Sequence, residues 1–183
     1  SPPLAHSEIQ HDEAAVNPPP WEHSKHGKEE EFTPAVALGL FDYLRKSHSR
    51  GWVVSASGGA DSSACAVLCA LAVRFAAAQL GEAGVREKLA HLGSLQDCED
   101  ADSFIRRLLT CVYQSTRNSG EVTLNAARDV ANAIGAEFLH FDVDEVVQSY
   151  ISIVEKSLGR SLNWDTDDIA LQNIQARARP PGV

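Results

Sequence analysis

Apolar positions fall into helical spacing from Phe32 onward, where Phe32, Val36, Leu40, Tyr43 and Leu44 share one face of a 3.6-residue period. Thr33 followed by Pro34 is a helix-start signal, and Gly51 ends the unit. Trp52 to Ser57 then reads as a short buried strand, and Ala60 to Gln79 as an Ala-rich helix. Residues 82–107 are charged and mostly helical or irregular, and their pattern resolves no single element. Leu108 to Tyr113 predicts a second strand. Asn118 or Ser119 is the expected cap of a helix running to about Ile134, with Gly135 as its stop. Glu137 to Val143 predicts a third strand, followed by a helix from about Asp144 to Leu158 and a last helix starting near Thr166 or Asp167. Strands alternating with helices predict an α/β fold, a parallel sheet with helices on both faces. Residues 1–31 are polar, include Pro18-Pro19-Pro20 and show neither period, so they read as a linker or arm. His11, His23 and His26 have no partners at metal-ligand spacing.

Composition narrows the function classes. The chain has 183 residues, 44% hydrophobic and 22% charged, which fits one soluble domain with a real core. A formal net charge of −9 argues against a nucleic-acid partner, since neutralising a phosphate backbone takes clustered Lys and Arg. It leaves mononucleotides open, because backbone N–H groups and a few cations suffice for them. Cys65, Cys69, Cys98 and Cys111 form no C-x-x-C pair, so they are expected to be buried and apolar in a reducing, cytoplasmic setting. Cys65 and Cys69 lie four apart, on one helical face. The longest apolar run, Ala64 to Val73, is about half of what a bilayer crossing needs, so no membrane partner is expected. The chain has no Met and stops at Pro180-Pro181-Gly182-Val183, just after a helical motif. It is expected to be a piece of a longer protein.

The chemistry is concentrated in Ser57-Gly58-Gly59-Ala60-Asp61-Ser62-Ser63, set between the first strand and its helix. Two glycines permit a sharp turn and close approach by a bulky anion, and the following helix offers unpaired N–H groups and a positive dipole end. Ser57, Ser62 and Ser63 add hydroxyl donors, and Asp61 reads as a helix-start residue or an oxygen ligand for Mg²⁺. No Lys follows the glycines, and the spacing is not G-x-G-x-x-G. The S-G-G-x-D-S pattern resembles the pyrophosphate loop of ATP pyrophosphatases.

Two further segments resemble one branch of that superfamily, the glutamine-dependent NAD synthetases. Thr110 to Ser119 is similar to their second-strand segment, and Asp168 to Arg177 to their N-x-Q-A-R helix. Glu29 to Lys46 is similar to the entry of their synthetase domain. The resemblance covers roughly residues 29 to 182. It implies a Rossmann-like, adenine nucleotide alpha hydrolase-like sheet, expected to be incomplete at the C-terminus, with residues 32–183 as the N-terminal part of the domain. It further implies ATP-dependent amidation of deamido-NAD through an adenylated nicotinate carboxylate, with ammonia from glutamine or free ammonium. Ser55, Ser57, Gly58, Gly59, Ala60, Asp61, Ser62 and Ser63 would line ATP, and Asp61 would support Mg²⁺. Asn173, Arg177, Thr116 and Asn118 would meet deamido-NAD. Asp165, Asp167 and Asp168 are expected to cap the last helix or, as the alternative, to hold a second metal.

The resemblance also implies a homo-oligomer and a glutaminase domain supplied by the rest of a longer chain, since residues 1–31 cannot be one. Two other readings stay open: another pyrophosphate-loop synthetase, or a non-catalytic nucleotide-binding or assembly fragment.

Overall fold

A computed structural model describes residues 24–182; His11, His23 and most of the expected arm lie outside the described residues. Helix α1 spans Gly27–Ser47, strand β1 Trp52–Ser55 and helix α2 Ala60–Lys88. A 3-10 turn at Gly93–Leu95 leads to α3, Ala101–Leu108, and directly into β2, Leu109–Ser115. Then follow α4 (Glu121–Ile134), β3 (Glu137–Asp142), α5 (Asp144–Leu158) and α6 (Asp168–Ala178), with a final 3-10 turn at Pro180–Gly182. The three strands form one parallel sheet in the order β1-β2-β3, the Rossmann-like α/β architecture that the alternating pattern predicts.

Several boundaries move for physical reasons. α1 begins at Gly27 and carries Pro34 inside it; acidic Glu29 and Glu30 in the first turn complement the helix dipole and extend the helix upstream of Thr33. α2 runs on to Lys88 across a kink at Gly81, whose φ is 68°, so the first part of the stretch that the pattern does not resolve is a short helix set at an angle to the long one. α3 is a true helix, closed by a capping box in which the Asp100 carboxylate accepts from the Ser103 N–H. The cap of α4 is Gly120, not Asn118 or Ser119. Ser119 instead turns its hydroxyl back to accept from the Thr116 N–H at 3.0 Å.

The core lies on one face of the sheet. Register pairs Val54 with Cys111 and Cys111 with Phe138, so Trp52, Val54, Leu109, Cys111, Tyr113 and Phe138 point to the same side. Crossovers of one hand that step in one direction lay their helices on one face, and α1, α2 and α4 gather there. The buried face of α2 is small: Ala66, Cys69, Ala70, Ala72, Val73 and Ala76. Small side chains bring the helix axis close to both the sheet and the α1 residues Ala37, Phe41 and Leu44. By length and composition α2 is apolar enough to cross a membrane, but it packs on α1, α3, α4 and the sheet as a core helix. Cys69, Cys98 and Cys111 are buried free thiols as expected, and burial pushes Cys69 up to about 11. Cys65 departs from the expectation and is exposed, because the buried stripe of α2 passes through Ala66 and Cys69 instead.

The opposite face is covered only at its centre. Val112 and Gln114 are buried there, and the Gln114 amide donates to the Arg179 carbonyl just beyond α6 at 2.7 Å. Val53 stays 54% exposed and Leu139 37%.

Phe104 is fully buried where α3 meets the sheet and α2. Phe104→Ala is expected to lower unfolding free energy by about 3–5 kcal/mol, read as a lower midpoint in urea with an unchanged slope.

Candidate functional site

Parallel strands deliver their outgoing loops to one edge of the sheet, where ligands of such folds sit. Three segments meet at this edge: residues 56–59 after β1, residues 116–120 after β2, and Val143 after β3. The Ala56 N–H donates to the Val112 carbonyl at 2.8 Å and the Val143 N–H to the Ser115 carbonyl at 2.9 Å. The ladder thus holds the roots of the loops as firmly as the strands.

The glycine loop closes on itself. Gly59 N–H donates to Ser57 Oγ at 3.2 Å, and Ser57 N–H donates to Ser62 Oγ at 3.1 Å. The two hydroxyls lie 3.0 Å apart. Ser62 and Ser63 both donate to the Gly59 carbonyl, at 3.2 and 2.8 Å. These hydroxyls were expected to face outward as donors; they are spent on the loop's own backbone, which fixes its shape. What remains free is the backbone itself. Among the described residues, the N–H groups of Gly58, Ala60, Asp61 and Ser62 have no acceptor. All four lie at or just before the first turn of α2, whose N-cap Gly59 contributes no side chain. Converging unpaired amides at a positive dipole end make an anion cradle.

Gly58 is where the turn is tightest. Its φ is 78°, and a Cβ there would overlap the Thr123 carbonyl oxygen in the first turn of α4. Only glycine fits, both for its backbone angle and for the space.

Asp61 stands exposed in the first turn of α2, with no hydrogen bond or ion pair among the described residues. The described residues contain no group of three or more His, Cys, Asp or Glu that could hold a metal. A single free carboxylate beside a phosphate cradle suits Mg²⁺, which binds through one or two carboxylates plus substrate phosphates and water. Asp165, Asp167 and Asp168 form no metal-holding group among the described residues. Asp167 is instead engaged by both terminal guanidinium nitrogens of Arg160, at 2.7 and 2.8 Å.

The remaining expected site residues divide. Thr116 is buried and shapes the turn after β2: its N–H donates to Ser119 Oγ and its carbonyl accepts from the Ser119 N–H at 2.8 Å. Asn118 is exposed; its backbone N–H donates to Thr116 Oγ1 at 3.4 Å, and its side-chain amide is free among the described residues. Asn173 and Arg177 lie one turn apart on α6 and both are exposed. The Asn173 amide donates to its own helix, at Ile169 O. Arg177 has no ion-pair partner among the described residues.

Two polar residues escaped the reading of the chain. Gln114, 6% exposed, accepts from Ser55 Oγ at 3.5 Å and donates to Arg179 O, tying β1, β2 and the end of α6 together. Its one sequence signal is an amide inside an otherwise apolar strand. Arg117 clamps Asp144 through its backbone N–H and its guanidinium, the shortest contact being 2.7 Å. That pair locks the turn after β2 to the start of α5.

The hydrogen bonds from Arg117 hold the Asp144 carboxyl below its usual range, and those from Arg160 do the same for Asp167. A carboxylate depressed in the folded state contributes stability above its unfolded value, near 3.9, and loses it as pH falls through the folded value. The melting temperature should therefore drop as pH is lowered from about 5 to about 3. Asp144→Asn and Asp167→Asn should each flatten that drop; a parallel profile in both would contradict the two clamps.

Most of the described frame matches known proteins. Residues 33–181 match the family model described as NAD synthase. The glutamine-dependent NAD(+) synthetase of Oryza sativa subsp. indica is 34% identical over 167 residues, covering 84% of this chain and 22% of that protein. The human glutamine-dependent NAD(+) synthetase is 31% identical over 174 residues, covering 87% and 24%. A crystal structure of a glutamine-dependent NAD(+) synthetase from Cytophaga hutchinsonii superposes with a TM-score of 0.79 at 45% identity, over 84% of this chain and 28% of that one. The chain spans about a quarter of the length of these relatives.

Proposed function

The chain belongs to the NAD synthase family, and from that premise we propose that it forms the ATP-handling part of an enzyme that amidates deamido-NAD to NAD. One observation carries the reading: four free amides and a free carboxylate converge at Gly58 to Ser62, on the ligand edge of the sheet and inside the matched span.

In the proposed reaction a nicotinate carboxylate oxygen attacks the α-phosphorus of ATP. The bond from that phosphorus to the bridging oxygen breaks, and pyrophosphate leaves with the electron pair. Ammonia, from glutamine or free ammonium, then adds to the acyl carbon; AMP departs and the nitrogen loses a proton. The amides of Gly58, Ala60, Asp61 and Ser62 and the dipole of α2 stabilise the charge that gathers on the departing pyrophosphate. Ser57, Ser62 and Ser63 keep the loop in shape, and Ser55 ties the end of β1 to Gln114 beneath it. Asp61 would hold Mg²⁺, which when bound neutralises phosphate charge. Asn118, Asn173 and Arg177 would meet deamido-NAD, the guanidinium suiting its phosphates or carboxylate, with Thr116 holding the turn beneath Asn118. Ammonia production by a glutaminase domain, homo-oligomer formation and a cytoplasmic setting complete the proposal.

A second reading, nucleotide binding without turnover by this chain, is favoured by Val53 and Leu139, which stay exposed on the outer strands at either side of the covered centre of the sheet. Such a face ordinarily carries further structure.

The test supplies ATP·Mg²⁺, ammonium and deamido-NAD and follows pyrophosphate and NAD. Pyrophosphate release that requires deamido-NAD, does not occur with XMP, and falls at least about 10-fold in Asp61→Ala is the expected result. Binding of ATP·Mg²⁺ with no release under any condition selects the second reading. Release with XMP but not deamido-NAD contradicts the NAD synthetase assignment.

A further inference from the structure

We propose that Tyr113 is a positioning residue for the phosphate loop: its hydroxyl, acting through Thr123, holds the first turn of α4 against Gly58. The inference rests on the reading of that loop as the ATP site.

Tyr113 sits in the middle of β2 and is 5% exposed, yet its hydroxyl reaches out of the sheet to lie 2.7 Å from Thr123 Oγ1. The direction of that bond follows from its neighbour. Thr123 Oγ1 donates its one proton to the Gly120 carbonyl at 2.9 Å, so the tyrosine hydroxyl is the donor to Thr123. The Tyr113 ring stands edge-on to His140, with centroids 5.7 Å apart, an arrangement that limits its swing.

α4 lacks the usual means of fixing its first turn. Its N-cap is Gly120, with no side-chain cap, and the Gly120 carbonyl accepts from the Leu124 N–H at a long 3.3 Å. The Thr123 hydroxyl and the tyrosine behind it do the holding that a Ser or Asp cap would otherwise do. What they hold is the wall of the loop. The Thr123 carbonyl is the group that leaves no room for a Cβ on Gly58. If that turn moves away, Gly58 loses the surface that sets its angle, and the free amides of Gly58, Ala60, Asp61 and Ser62 lose their common aim. A strand residue thereby reaches the phosphate site through one hydroxyl and one helix turn.

Amide hydrogen exchange in the nucleotide-free chain tests this. Tyr113→Phe keeps the ring and removes only the donor. It should speed exchange about 5-fold at the hydrogen-bonded amides of the loop and of the first turn of α4, Ser57, Gly59, Ser63 and Leu124, while amides of α5 stay at their wild-type rates. Thr123→Val should give the same pattern, the double variant no more than either, and Thr123→Ser should behave as wild type. Uniform acceleration across all elements would mean a general packing role and overturn the proposal; so would unchanged exchange at Ser57, Gly59 and Ser63. In calorimetry, Tyr113→Phe should weaken ATP·Mg²⁺ by about the same 5-fold, and equal affinity in the variant would overturn the link to ligand. A wild-type chain that does not bind ATP·Mg²⁺ would sink the ATP reading and that link with it, whereas the exchange pattern would still decide whether Tyr113 positions the loop.

Discussion

Gly58 turns with a positive φ at a place where the next helix leaves no room for even a methyl group, and the rest of the site is arranged around that constraint. Because the residue is a glycine, β1 can stop and α2 can start within four residues. Because the first turn of α4 stands against it, the loop cannot relax outward. The parallel register brings the two together: β1 and β2 end on the same edge, so the loop after one meets the helix after the other. The loop then completes its own shape with the hydroxyls of Ser57, Ser62 and Ser63.

That inward use of the hydroxyls decides what the site can offer a ligand. Side-chain donors are consumed by the Gly59 carbonyl and by each other, leaving amides at a helix start, where partial positive charge is fixed without any cation. A chain with a net charge of −9 can therefore present an anion site. α2 serves both the loop and the core. Its N-terminus faces the loop, and its small-residue face anchors it between α1 and the sheet, so the amides are held by a helix that the core does not let move.

The chain's pattern made much of this legible, and the limits are physical. Three strands, the helices between them and the Ser57 to Ser63 loop follow from apolar runs and glycines, because burial imposes periodicity on neighbours in sequence. The identity of polar partners does not. Ser55 meets Gln114 59 residues away, Gln114 meets Arg179 across 65, and Arg117 meets Asp144 across 27; no local spacing encodes such pairs. The cap of α4 differs from the expected one for a local reason: Asn118 and Ser119 are good capping types, but Ser119 is taken by the turn at Thr116, three residues back, and the helix starts from a bare glycine. Asp61 was legible as a carboxylate at a helix start, and the structure adds that nothing among the described residues competes for it.

The most direct test of the central claim is a crystal structure of the chain with Mg²⁺ and a non-hydrolysable ATP analogue. The β- and γ-phosphate oxygens are expected within hydrogen-bond distance, about 3 Å, of the amides of Gly58, Ala60, Asp61 and Ser62, with the ion beside Asp61. A nucleotide bound elsewhere on the chain, with the Gly58 to Ser62 amides facing only solvent, would contradict it.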